Sequence, residues 1–262
     1  MTRYINIFLL FIKFNLSKDL MFRVNFYNSI FSTLIWAGFQ FVVTLLITEK
    51  VNTVAGWNKE EMLLLTAGFN IVLGIFRALI TRSLELFSYL VHYGKLDIYL
   101  LKPVDTQFWL SFQVSNIASF IRIPVSIIIS LYLLSILNVQ VSFLHYIMYF
   151  LLLLIGVVVL YSIWFMVITS VIWFSNLTNL KSFLDGLNGA ARYPKEIFEN
   201  TAVFFFIVFF PLSLVVSVPT KYLLRKAEIA DVFLLVGTGI ALLLFSRYFW
   251  KIALRSYTSA GG

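Results

Sequence analysis

The chain has 262 residues, 61% of them hydrophobic and only 12% charged, with a mean hydropathy of +0.93; ordinary soluble domains are roughly 45–50% apolar and about 25% charged, so a water-soluble fold is excluded. The net charge of +8, from 20 Lys and Arg against 12 Asp and Glu, is dispersed between apolar runs and forms no single basic surface, which argues against a nucleic-acid partner. With no cysteine there is no disulfide, thiolate nucleophile or Cys-based metal site.

The first stretch, Thr2 to Leu20, reads as an amphipathic helix. Ile5, Phe8, Leu9, Ile12 and Leu16 share one face, while Arg3, Asn6, Lys13 and Ser17 cluster on another, with Leu10 the one apolar intruder. Lys13 interrupts the apolar part and no small-residue cleavage site follows, so the segment is not a signal peptide. It is expected to lie along the cytoplasmic membrane surface with its basic residues towards anionic headgroups.

A helix needs about 20 apolar residues to cross the hydrocarbon, because its backbone polar groups find no water there. Runs of that kind are Phe26 to Ile47, Met62 to Ile80, Phe108 to Leu137, Phe143 to Phe174, Ala202 to Val218 and Val232 to Trp250, the last extending to 254 with its basic end. The third and fourth are longer than one crossing needs, so they tilt, extend into the cytoplasm or, in the fourth, hide a turn. Arg3, Lys13, Lys18 and Arg23 before the first run, and Arg247, Lys251 and Arg255 at the end of the last, place both termini in the cytoplasm. The loop Thr48 to Glu61 is then outside and Thr81 to Gln107 inside.

Between Ser175 and Thr201 hydropathy runs out. Lys181, Asp185, Arg192, Lys195, Glu196 and Glu199 make the stretch a cytoplasmic loop by plain counting, with Ala202 to Val218 as the fifth crossing. A second reading makes Leu177 to Tyr193 a short, polar fifth helix, followed by a segment, Pro194 to Pro219, that dips into the outer leaflet and returns. Both readings place Thr220 to Asp231 outside, although Lys221, Arg225 and Lys226 fit that side poorly.

Catalytic constellations are missing from the chain. There is no H-E-x-x-H or G-x-S-x-G, and His92 and His145 fall in segments on opposite sides of the membrane. Nor does an obvious ion-coupling carboxylate lie within a crossing, with Asp185 the one ambiguous case. Gly94-Lys95 lacks the remainder of a phosphate-binding loop, so any ATP and Mg would be held by a separate subunit and no cofactor by this chain. Arg122, expected about 20 Å into the third run at 1.5 Å per residue, would cost roughly 2.5–3.5 kcal/mol there without help. It requires a partner, and Asn116 is on another face, so that partner belongs to another helix or subunit. Asn116 and Arg122 are candidates for a substrate path or an interface between permeases; the alternative is a structural Arg122 on a helix that begins after Phe108. Pro124 is expected to kink the helix and free carbonyls near Phe120 and Ile121.

The loop from Leu84 is the most informative part. Leu84, Phe87, Leu90 and Val91 follow helical spacing, Gly94 breaks it, Leu96 to Leu101 resume it, and Lys102-Pro103 should end it. A short amphipathic cytoplasmic helix results, apolar enough to press on a partner.

The string Gly94-Lys95-Leu96-Asp97-Ile98-Tyr99-Leu100-Leu101-Lys102-Pro103-Val104-Asp105 resembles the G-x-L-D-x-x-L-x-K-P signature of a bacterial branch of ABC-2 type permeases. Pro194, Phe198 and the stretch Pro211 to Pro219 are similar to that family's proline-containing region, and Arg255 to Gly261 to its G-x-x-x-Y-x-S-x-G ending, although Ala253-Leu254-Arg255 stand where a glycine is usual. The resemblance implies an all-α integral membrane protein of the six-helix, type V exporter-like kind, one permease domain over 1–262. It implies an interfacial helix at 2–20, a coupling helix within 84–106, and a re-entrant outer gate at 194–219 marked by Pro194, Pro211 and Pro219. The coupling helix would insert into an ABC ATPase subunit through His92, Tyr93, Gly94, Lys95, Leu96, Asp97, Leu100, Leu101, Lys102, Pro103 and Asp105. Two ATPases, plus a second copy or a relative of this chain, would complete an exporter of hydrophobic or amphipathic compounds in the bacterial inner membrane. Its rivals are a channel or ion-coupled secondary transporter, which would work without ATP, and a membrane assembly protein, which would transport nothing.

Overall fold

The computed structural model describes residues 2–51, 53–174, 180–197 and 203–258. Within these, the side chains of 181, 190 and 203–210 lie outside the description. The described residues form helices joined by short turns, with no strand longer than the single bridge between Val54 and Trp57.

Helix α1 (Thr2–Met21) leads into α2 (Arg23–Lys50). α3 (Lys59–Phe76) passes without a break through a π-helical turn, Arg77–Thr81, into α4 (Arg82–His92). Asn58 starts α3, its backbone N–H donating to the Glu61 carboxylate at 3.2 Å. The one-turn α5 (Asp97–Leu100) and the short α6 (Thr106–Phe112) precede α7 (Arg122–Ile136), which is entered through a 3-10 turn at Ile117–Ile121. Then come α8 (Phe143–Thr169), α9 (Leu180–Ala190), α10 (Val203–Leu223) and α11 (Ile229–Ser256).

Five of these stretches are long and apolar enough to cross a membrane: Arg23–Lys50, Lys59–His92, Ile117–Ile136, Phe143–Ile172 and Ile229–Ser256. The protein is therefore a multi-pass membrane protein. Its centre is α3, which packs against α2, α7, α8 and α10. Lipid is as apolar as leucine, so association rests on close approach of helices. At Gly156 of α8 a methyl group would come within 2.7 Å of the Val215 carbonyl oxygen of α10, so only glycine lets the two backbones meet.

The expected third crossing is broken. The run from Phe108 does not continue to Leu137: α6 stops at Phe112 and the helix restarts at Ile117. Consequently Arg122 begins α7 instead of lying deep within one long helix. Pro124 falls at the third residue of α7, within the helical stretch Ile117–Ile136.

Ion pairs assign the helix ends. At the α1 end, Arg247 of α11 pairs with Asp105 and Trp173 packs on Phe249 at 5.3 Å. At the opposite end Lys226 pairs with Glu61, Lys195 with Asp231 and Lys221 with Glu196, while the Trp57 indole donates to Glu196 at 3.2 Å. Trp173 and Lys195, on either side of α9 in the sequence, therefore lie at opposite ends of the bundle. The polar face of α9 finds partners on neighbouring helices: Asp185 pairs with the half-exposed Arg77 at 3.2 Å and the Trp164 indole donates to buried Asn188 at 2.8 Å. Residues 195–197 and Lys221 both lie at the far end. Pro211 and Pro219 are inside α10, Pro194 is buried before the turn at 195–197, and Phe198 lies outside the described residues.

α1 packs on α6 through T-shaped ring contacts, Tyr4 with Phe108 at 5.1 Å, Phe8 with Phe112 at 5.6 Å and Phe11 with Trp109 at 4.9 Å. This line is rotated from the expected face. Ile5 and Leu9 are exposed, while buried Asn15 donates to the Gln113 carbonyl at 3.0 Å. The aromatic side of α1 faces the protein, and the aliphatic side is left for lipid.

Candidate functional site

The segment from His92 to Asp105 is built by its own backbone. α4 ends on Tyr93, and Gly94 follows at φ +63, a left-handed conformation that a side chain would strain. The Lys95 N–H donates to the Leu90 carbonyl at 2.8 Å and the Gly94 N–H to Val91 at 3.1 Å, closing the helix end. The chain reverses and α5 forms a single turn, closed by the Leu100 and Leu101 N–H groups donating to Leu96 and Asp97 at 3.2 Å each. Pro103 then ends the helical path, and the Val104 N–H donates to Lys102 across it at 2.8 Å.

Residues of α1 and α11 fasten this loop. Arg3 donates to the Pro103 carbonyl at 2.9 Å, and the Tyr4 hydroxyl accepts from the Asp105 N–H at 3.3 Å. Asp105 caps α6 by accepting from the Phe108 N–H at 2.9 Å, and Arg247 grips the same carboxylate with both terminal nitrogens. Arg247 also donates to the Gln107 side chain at 3.0 Å, which in turn donates to the Tyr161 hydroxyl at 3.0 Å. Burial alone would raise the Asp105 pKa; the Arg247 hydrogen bonds and charge, with the Phe108 N–H, outweigh it and hold the carboxyl below the usual range. Burial, then the neighbouring Asp97 carboxylate, pushes the Tyr257 phenol up. The Asp97 of the loop motif and the Tyr257 of the tail motif, far apart in sequence, thus meet.

The expected contact residues divide into two sets. His92, Tyr93, Lys95, Leu101 and Pro103 face outward, with Ile98 beside them, and Leu101 is 86% exposed. Leu96 is fully buried; Gly94, Asp97, Leu100, Lys102 and Asp105 are half-buried, with Lys102 held over the Trp109 ring at 3.8 Å and Asp105 by Arg247. One set holds the loop and the other is displayed. Sequence reading missed Arg247, Arg3 and Tyr4 as fasteners; the available signal was a lone arginine inside the otherwise apolar run Val232 to Trp250.

A second polar locus lies deeper. Arg122 is buried, and its guanidinium donates to the Asn70 side chain of α3 at 3.1 Å. Asn70 itself donates to the Thr66 carbonyl at 3.0 Å, and the Thr66 hydroxyl meets Thr44 of α2 at 2.9 Å. Asn116 does not join Arg122. Its N–H donates to the Ala78 carbonyl at 2.7 Å, an acceptor within the π-turn of the α3–α4 helix, and its side chain accepts from Ser29 at 3.5 Å. The gap between α6 and α7 is thereby stitched to the π-turn, and the Ser83 hydroxyl does the same at Val114, donating to its carbonyl at 2.9 Å and accepting from its N–H at 2.7 Å.

Among the described residues no group of three His, Asp or Glu side chains could hold a metal ion. A family model described as ABC-2 family transporter protein matches residues 34–261. No curated protein and no solved structure matches the chain.

Proposed function

The chain belongs to the ABC-2 family of transporter proteins, and from that premise we propose that it is the permease of an ATP-driven exporter whose motor docks on the outward rim of the loop His92 to Asp105. The observation that carries this reading is the contrast within the loop. Ile98, Leu101 and Tyr93 are displayed to water on a segment that Arg247, Arg3 and Tyr4 fasten to the bundle. Exposed apolar residues on a braced support fit a surface that receives force; on a free loop they would only cost solubility. ATP and Mg belong to the ATPase subunits, and a second permease, a copy or a relative, completes the transporter. The membrane is the bacterial cytoplasmic membrane, with the α1 end and both termini on the cytoplasmic side.

In this reading α9 is the fifth crossing and α11 the sixth, and the segment from Pro194 to Pro219 leaves and returns to the outer side as a gate. Support comes from Glu196, near the start of that segment, and Lys221, just past its end, which pair at the far end. The cargo is a hydrophobic or amphipathic compound. Leu101→Arg tests the docking: the variant should melt with the wild type, yet lose co-purification with the ATPase subunit in mild detergent and ATP-dependent export with it. Full co-purification of a Leu101→Arg, Ile98→Arg double variant overturns the proposal.

A further inference from the structure

Beside the junction of α1 and α2 lies a cavity of about 190 Å³, lined by Lys18, Asp19, Asn25, Ser29, Arg82 and Asn116 with apolar Phe22, Phe26 and Ala118. A second, of about 220 Å³, shares Arg82 and Asn116 and continues past Glu85 to the Arg77–Asp185 pair. The first is on the order of six water volumes, at about 30 Å³ each. Its depth follows from the helices. Ser29 is six residues into α2, roughly 9 Å at 1.5 Å per residue, and Arg82 is about 35 Å from Lys59 along the α3–α4 helix. With a hydrocarbon core of about 30 Å, the cavity sits at the headgroup level of the leaflet on the α1 side. The π-turn and the α6–α7 gap make it, because they turn Arg82 and Asn116 outward at one level.

Among the described residues the charges of Lys18, Asp19 and Arg82 in this cavity are not matched. Lys18 and Arg82 are exposed and form no ion pair among the described residues. Asp19 forms none either, and one of its carboxylate oxygens is buried without a hydrogen-bond donor. A buried carboxylate oxygen left unpaired is costly unless something donates to it. Two cations and a carboxylate oxygen without partners among the described residues, with amides and a hydroxyl between, complement a group that carries both signs.

We propose that this cavity binds the headgroup of an amphiphile bearing a phosphate and a primary ammonium, the phosphate on Arg82 and Lys18 and the ammonium on Asp19. A quaternary ammonium has no N–H for the Asp19 oxygen, and a purely anionic headgroup meets Asp19 as a like charge. The site is separate from the ATPase-docking rim, and its test needs no nucleotide. The full chain, purified in mild detergent, is incubated with equal amounts of phosphatidylethanolamine, phosphatidylcholine and phosphatidylglycerol, and lipid adducts are counted by native mass spectrometry. The ethanolamine lipid should be retained about tenfold over the other two, the factor that roughly 1.4 kcal/mol gives. Asp19→Asn should abolish that preference, Arg82→Gln should lose the adduct, and Arg82→Lys should recover it, which separates lost recognition from lost fold. Soluble phosphoethanolamine should displace the lipid at millimolar concentration while inorganic phosphate does not. Equal retention of the three lipids by the wild type, or displacement by inorganic phosphate alone, overturns the assignment.

Discussion

α2 and the α3–α4 helix are equally apolar, yet the most apolar stretch of α2 is 11% buried and that of α3–α4 is 83% buried. Hydropathy therefore identifies segments that tolerate lipid and is silent on which of them becomes the centre. What separates the two is the small and polar residues. α3 carries Gly68 and Gly74 at close contacts, and its Thr66 and Asn70 one turn apart face partners on α2 and α7. The glycine of α2, Gly38, has nothing within 4 Å of where a side chain would begin. In a medium where burying leucine against leucine gains little, close approach and interhelical hydrogen bonds choose the core.

Substitutions rank that contrast. At Gly68 a Cβ would lie 2.8 Å from the Tyr149 hydroxyl and 2.9 Å from a Val216 methyl. Gly68→Leu must push α8 and α10 away and is expected to cost about 3 kcal/mol, read as a lowered midpoint of thermal unfolding in detergent. An unchanged midpoint would mean that α3 is not the packing centre. Asn70→Leu removes the Arg122 partner while keeping the volume. A buried guanidinium then loses a hydrogen bond and the loss is about 2 kcal/mol; Asn70→Leu combined with Arg122→Leu should recover most of it, and a double variant no better than the single one would count against the pairing. Thr44→Val breaks the hydroxyl contact to Thr66 at 2.9 Å, the buried side-chain bridge between the two helices. Interhelical hydrogen bonds in membranes average about 0.6 kcal/mol, so the shift is small but in the same direction.

The same physics decides what could be read from the residues. The apolar runs that form α2, α3, α8 and α11 were legible because lipid compatibility is a property of each segment alone. So was the helix, turn and helix path of the loop from Leu84, whose Gly94 and Pro103 act within a few residues of themselves. The break at 113–116 was not: Gln113, Val114, Ser115 and Asn116 are too few and too mild to interrupt a hydropathy window, and the break is stabilised by Ala78 and Ser83 from elsewhere in the chain. α9 was obscured for the opposite reason. Its charges and amides argue for water until Arg77 and Trp164 are known to face them. Arg122 was found as an isolated cost in the sequence, but its partner Asn70 is 52 residues earlier and became visible only in space.

Gly38→Val is the smallest effect and the sharpest separation of the two helices. Valine at Gly38 meets open space, so no packing is lost, and replacing glycine in a helix interior recovers part of the roughly 0.5–1 kcal/mol that glycine costs there. The isolated chain should unfold within about 0.5 kcal/mol of the wild type, on the stable side if it moves. The same substitution at Gly74, where the new Cβ would stand 3.0 Å from Ile123 and 3.3 Å from the Arg122 Cβ, should lower stability even though the chemistry is identical. The two variants share residue type and secondary structure, so the sign difference between them points to contact with neighbouring helices as the cause. If both move the midpoint alike, helix propensity and not packing separates α2 from α3.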